Sequence, residues 1–139
     1  MQTKIFAGTL DSLSPIRQYL KSIAGNTGLN KKATYNLQLA ADELVTNTIL
    51  YGYEDVGFKG DITIFSEITA NQLVVTIKDS ASPFDPYSKK MPSKEDLSKP
   101  LHERPIGGLG IFLVLDALDE FRYEFKDGCN HNILILNIK

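Results

Sequence analysis

The chain has 139 residues, of which 42% are apolar, so one domain spanning 1–139 can build a core without metal or disulfide support. Fifteen basic residues against 17 acidic ones leave a net charge of −2, which argues against a broad basic face for nucleic acid and excludes a disordered polyelectrolyte. The single cysteine, Cys129, excludes a disulfide framework and a cysteine-based zinc site. No apolar run nears the roughly 20 residues of a membrane span, and the N-terminal MQTKIFAGTL has no secretory h-region, so a cytoplasmic protein without membrane contact is expected.

Residues 2–7 read as a short strand. Asp11 or Ser12 is placed to cap a helix whose first turn tolerates Pro15. Ile16, Leu20 and Ile23 form its buried stripe, and it stops within Gly25–Gly28. Asn30 is expected to cap the strongest helix, from Lys31 to Tyr51 and ended by Gly52. Its core stripe is Leu37, Ala41, Leu44 or Val45, and Thr48. Asp61–Ile68 then alternates, with Ile62, Ile64 and Ile68 on one face. Asn71-Gln72 is the expected turn, and Leu73–Asp79 pairs back as a hairpin. Leu73, Val75 and Ile77 share a face, and period two carries Asp79 onto the same inward face.

Residues 80–106 break the pattern. Five of the six prolines lie there, with Lys89, Lys90, Lys94, Lys99 and Arg104, and so long a connection inside a domain is usually functional. Asp96-Leu97 is the one place in it for a turn of helix. Gly107–Leu118 is glycine-rich and then helical, with Ile111, Leu115 and Leu118 at helical spacing. Glu120–Lys126 and Asn132–Lys139 are the last strands, joined by a slightly longer loop around Asp127-Gly128 that includes Cys129. The alternation of elements predicts a mixed α/β domain.

Three places carry chemistry. Glu43 and Asn47, four apart, project from one helix face that Ala40 shares; a solvated polar pair would look the same. Asp79 opens the run Asp-Ser-Ala-Ser-Pro-Phe-Asp-Pro. This is either a turn after a strand or a buried carboxylate, which needs donors such as the exocyclic amine of a nucleobase. Gly107-Gly108-Leu109-Gly110 leads into a helix, where backbone N–H groups can meet a phosphate, or it is a hinge. No Gly-Lys-Ser/Thr exists for a Walker A loop, and Leu113 stands where a Rossmann fingerprint needs its third glycine. His102 and His131 form no metal-ligand pattern.

In order, Glu-x-x-x-Asn on a helix, Asp-x-Ala-x-Pro-Phe-Asp-Pro after a strand, a long loop, and Gly-Gly-Leu-Gly at a helix start resemble the GHKL nucleotide-binding superfamily with its Bergerat fold. LAADELVTNTILYGYED, PFDP and IGGLGIFLVLDALDEFRYEFKDGCN bring the chain close to the small anti-sigma-factor serine kinases, over roughly residues 30–139. The resemblance implies an α+β, two-layer sandwich whose mixed, mostly antiparallel sheet is covered on one face by helices. It implies ATP and Mg²⁺ as cofactors. Asn47 would hold the metal against the phosphates, and Glu43 would be the catalytic base. Asp79 would receive the adenine amine, with Ala81 and Phe84 in the same motif. Gly107, Gly108, Leu109, Gly110 and Ile111 would surround the phosphates, and residues 87–106 would be the lid.

Three positions depart from the superfamily pattern: Ala81 for a glycine, Tyr51 for a histidine, and Ile135 for a threonine on the late strand beside the adenine site. The implied partners are a sigma factor and a STAS-domain anti-anti-sigma protein, with no direct nucleic-acid contact and a homodimer built on residues 1–28. The rival readings are a non-catalytic, nucleotide-binding partner switch and a bare ATP hydrolase.

Overall fold

The computed structural model describes residues 2–86 and 108–138. Strand β1 (Gln2–Ala7) leads through a 3-10 turn (Leu10–Ser12) into helix α1 (Leu13–Thr27) and then α2 (Lys31–Asn47). Strands β2 (Asp61–Ile68) and β3 (Gln72–Asp79) follow, then α3 (Gly108–Asp116), β4 (Glu120–Lys126) and β5 (Cys129–Asn137). The sheet order is β1-β2-β3-β5-β4. Every described pairing is antiparallel, so the parallel element expected in a mixed sheet does not occur among these strands. The helices lie on one face, with α2 packed against both α1 and α3. The class is α+β, as expected.

Local chemistry explains the boundaries. Ser12 does not cap α1; its hydroxyl donates to the Ala7 carbonyl at 2.6 Å and ties the end of β1 to the helix entry. Gly28 ends α1 with φ 81°, the left-handed conformation glycine adopts without strain. Asn30 caps α2 as expected, its Oδ1 accepting from Ala33 N at 2.8 Å. The helical path does not stop at Gly52. It continues as a π-helical segment, Thr48–Glu54, in which Asp55 N donates five residues back to Leu50 O. Such wide turns often mark functional sites, because they re-aim the side chains they carry.

The sheet's inward rows meet the helices. Ile62, Ile64 and Ser66 of β2 are buried, as are Leu73, Val75, Ile77 and Asp79 of β3. Ile68, expected inside, is 58% exposed; β1 begins at Gln2, level with Ser66, so no β1 residue lies beside Ile68. The β4–β5 hairpin turns on Asp127 (φ 54°) and Gly128 (φ 75°), the pair of positive φ values of a type I′ turn. The loop is therefore tight rather than long, and Cys129 belongs to β5, paired with Lys126. From Asn130 the inward row of β5 is Asn130, Asn132, Leu134 and Leu136.

Tyr53 joins the π segment to the sheet. Its ring is 1% exposed and passes between Gly8 and Gly60, where an added Cβ at either would come within 2.6 Å of ring atoms. Its hydroxyl donates to Asp61 O at 2.7 Å and accepts from Ser80 N at 3.0 Å. Burial, opposed by the Ser80 hydrogen bond and aided by Asp79, pushes that hydroxyl up to about 12. It therefore stays protonated at neutral pH and fixes the backbone just after Asp79.

Candidate functional site

A cavity of about 210 Å³ opens between the end of α2, the adjoining ends of β3 and β5, and α3. Asn47, Thr48, Tyr51 and Gly52 line it from the helical side; Asp79, Ala81 and Phe84 line it from β3 and the turn beyond. Ile111 comes from α3, and Asn130 and Asn132 from β5. Five of the residues expected at the site therefore meet there, Asn47, Asp79, Ala81, Phe84 and Ile111, together with Tyr51.

Asp79 is 3% exposed, as period two requires. Its Oδ1 accepts from Asn130 Nδ2 at 2.9 Å and from Ala81 N at 3.0 Å, and its Oδ2 accepts from Thr48 Oγ1 at 3.1 Å. Burial still wins, raising its pKa above the usual carboxylate value against the lowering effect of Asn130, Ala81 and Thr48. Oδ2 keeps acceptor capacity beyond Thr48, and a carboxylate desolvated to this degree favours a donor that reaches it.

Asn130, unnoticed in the sequence, organises the rest. It is paired across the sheet with Asp79. Its Nδ2 also lies 3.2 Å from Ala81 O and 3.0 Å from Ser82 O. Its Oδ1 accepts from Phe84 N at 3.0 Å and from the Tyr123 hydroxyl. One amide thus fixes both the carboxylate and the turn 81–84. The partner of Asp79 on the late strand is this residue and not Ile135, which pairs with Val74 at the far end of β3. The tight Asp127-Gly128 turn sets the β4–β5 register and starts β5 at Cys129. With Leu134 and Leu136 inward, period two then carries Asn132 and Asn130 onto the same face.

Ala81 fits a particular neighbour. A Cβ built on Gly52 would lie 2.7 Å from the Ala81 Cβ, so the methyl that replaces the superfamily glycine occupies space left by Gly52 in the π segment. Ala40, which shares the helix face of Glu43 and Asn47, is fully buried in the core.

Glu43 sits half-buried one helical turn before Asn47 and outside the cavity lining. Burial, helped by the adjacent Asp42 carboxylate, raises its pKa and makes it a better proton acceptor near neutrality. Asp42 itself turns to Arg17 of α1, 3.0 Å away. Asn47 has a buried Nδ2 without a hydrogen-bond partner. Asn47 lines the cavity, and its side-chain amide carries a neutral oxygen able to act as a ligand. That fits a Mg²⁺ held chiefly by phosphate oxygens and water, as this ion usually is. No group of three or more His, Cys, Asp or Glu able to hold a metal exists among the described residues.

Gly108, Leu109 and Gly110 form the first turn of α3. Gly107, the expected lid 87–106 and the Asp96-Leu97 turn lie outside the described residues. No described helix is long and apolar enough to cross a membrane.

A family model described as histidine kinase-like ATPase domain matches residues 6–136. The serine-protein kinase RsbW of Listeria monocytogenes serovar 1/2a is 29% identical over 116 residues, covering 81% of this chain and 71% of its own length. The protein of the same name from Bacillus cereus strain ATCC 14579 is 28% identical over 115 residues, covering 81% and 70%. Among solved structures, the histidine kinase domain of the blue-light activated kinase EL346 of Erythrobacter litoralis superimposes with a TM-score of 0.53 at 15% identity, over 92% of this chain. The chain spans 60% of that structure. The histidine kinase AdeS of Acinetobacter baumannii gives 0.50 at 12% identity, over 100% of this chain and 68% of that one. At these identities the two structures speak for the fold alone.

Proposed function

The chain belongs to the histidine kinase-like ATPase domain family, and from that premise we propose that it is an ATP- and Mg²⁺-dependent protein serine kinase of the anti-sigma type. It would bind a sigma factor and phosphorylate a small STAS-domain anti-anti-sigma partner. The observation that carries the nucleotide reading is Asp79, an almost fully buried carboxylate with spare acceptor capacity at the wall of a cavity. The serine-kinase reading draws on the two RsbW relatives, whose names state that activity.

Each residue then has one task. Asp79 accepts a hydrogen from the adenine amine, while Ala81, Phe84 and Ile111 flank the base. Asn47 turns its amide oxygen toward Mg²⁺, which when bound offsets phosphate charge. Gly108, Leu109 and Gly110 present backbone N–H groups at the start of α3, where the helix dipole also favours an anion, and Gly107 belongs to the same proposed phosphate motif. Glu43 accepts the proton of the partner's serine hydroxyl as that oxygen bonds to the γ-phosphorus; the bond to the β-γ bridging oxygen breaks and ADP leaves. Positioning and electrostatics of this kind account for most phosphoryl-transfer catalysis. Self-association through residues 1–28 is in keeping with β1 as an edge strand whose Ile5 is exposed.

Glu43→Ala tests the kinase against the non-catalytic switch. Labelled ATP and cell lysate should yield a labelled small protein with the wild type. The variant should bind ATP within about twofold of wild type and lose at least roughly a hundredfold in transfer rate. Equal labelling by both proteins would remove Glu43 from the chemistry. Phosphate release without any labelled protein would favour the hydrolase.

A further inference from the structure

We infer that Asn132 is a base-contacting residue whose side-chain amide meets the polar edge of the purine beside Asp79; the inference rests on the nucleotide reading above. Thr48, Asp79, Asn130 and Asn132 supply polar side chains to the base end of the cavity. Three of them are engaged by the protein. Thr48 donates its hydroxyl hydrogen to Asp79. Asn130 is used at both ends, by Asp79 and two backbone carbonyls on one side and by Phe84 N and Tyr123 on the other. Asp79 is held by three donors and keeps only acceptor capacity.

Asn132 is different. It is 4% exposed, lines the cavity, and its Oδ1 is buried with no hydrogen-bond partner. An orphaned amide oxygen burdens the fold. Further along the same inward row, Leu134 and Leu136 fill the equivalent places with apolar side chains, so packing alone does not ask for an asparagine here. A polar group kept in such a place is explained by a ligand that satisfies it.

The register identifies what that ligand offers. Asn132 lies opposite Ile77, and Asn130 opposite Asp79. Asn132 is therefore the diagonal neighbour of Asp79, with about 7–8 Å between such positions, a gap that a base edge or one bridging water spans. The amino edge of adenine has two amine hydrogens beside an acceptor ring nitrogen. Asp79 takes one hydrogen. The Asn132 oxygen takes the other, or the amide turned over donates to the ring nitrogen, the pairing asparagine makes with adenine elsewhere. A 6-oxo purine instead turns a carbonyl oxygen to the Asp79 carboxylate, and that clash of acceptors disfavours it; Asn132, whose amide both donates and accepts, adds affinity for the base edge rather than discrimination.

The test is Asn132→Val, measured by melting without nucleotide and by calorimetric titration with ATP. The variant should melt at or above the wild-type temperature, because an orphaned polar group has gone. It should bind ATP roughly three- to tenfold more weakly. Unchanged ATP affinity in the variant overturns the inference. A second measurement needs no variant to fold. In ¹⁵N-labelled wild-type protein the Asn132 side-chain amide should shift on adding ATP and stay in place with inorganic triphosphate; the same response to both, or to neither, overturns it. Failure of the folded wild type to bind ATP at all is a separate result, which rejects the nucleotide reading itself.

Discussion

Asp79→Asn is expected to weaken ATP binding roughly 10- to 150-fold while leaving the chain folded. The range follows from the roughly 1.5–3 kcal/mol of a hydrogen bond to a charged group, at about 1.4 kcal/mol per tenfold. The fold tolerates the change. An asparagine oxygen in the Oδ1 place still accepts from Asn130 and Ala81, and its amine in the Oδ2 place can donate to the Thr48 hydroxyl. Only the ligand side reverses, from acceptor to donor, and then opposes the adenine amine. Nucleotide-free stability should move the other way. Burial raises the Asp79 pKa, so its protonated form suits the fold better. Its contribution is fully present below the ordinary carboxylate value of 3.8 and is lost as pH rises through the raised one. At neutral pH the asparagine variant should therefore melt no lower than wild type. Calorimetry and melting curves check both halves, and wild-type ATP affinity in a folded variant would take Asp79 out of the site.

The largest loss of stability is expected from Asn130→Asp. The side chain keeps its shape, but a second carboxylate then faces Asp79 Oδ1 at the 2.9 Å now spanned by Asn130 Nδ2, with the Ala81 and Ser82 carbonyls beside it. Acceptors meet with no donor between them. A destabilisation of about 3–5 kcal/mol at neutral pH is expected, as when a buried charged pair is broken. At roughly 3–4 °C per kcal/mol for a chain of this size, melting should fall by on the order of 10 °C or more. Two carboxylates this close share a proton, which raises the pKa of the pair. Stability should therefore recover as pH is lowered through the raised value and be lost again as it rises. Melting curves at pH 5 and pH 7.5 test this. Equal losses at both would mean that the damage comes from the turn 81–84 and not from the carboxylates.

The residues that make this site differ in how openly the sequence announces them. Asp79 was legible because strand periodicity is strict: with Leu73, Val75 and Ile77 inside, Asp79 has to follow. Asn30, Gly28 and the stripe Leu37, Ala41, Leu44 and Val45 of α2 were legible because capping and helical spacing are local rules, while Thr48, expected in that stripe, is half-buried at the cavity instead. Asn130 and Asn132 were not, since their importance depends on register. The resemblance puts Ile135 beside the adenine site, whereas the β3–β5 pairing places Asn130 opposite Asp79, a register between strands far apart in the chain that no local signal carries. The π segment was hidden for another reason. Gly52 reads as a helix end, yet here its missing side chain admits Ala81, a contact between residues far apart in the chain. Tyr53 owes its place to Gly8 and Gly60 in the same way. Long-range packing of this kind has no local signature.

The central claim is that an adenine nucleotide sits between α2 and the sheet with its amine on Asp79. A crystal structure with Mg²⁺ and a non-hydrolysable ATP analogue tests it most directly. The account predicts the base in the cavity bounded by Asn47, Asp79 and Asn132, its amine within hydrogen-bond distance of the Asp79 carboxylate. A base bound elsewhere, or that cavity closed by its own side chains under saturating analogue, would contradict it.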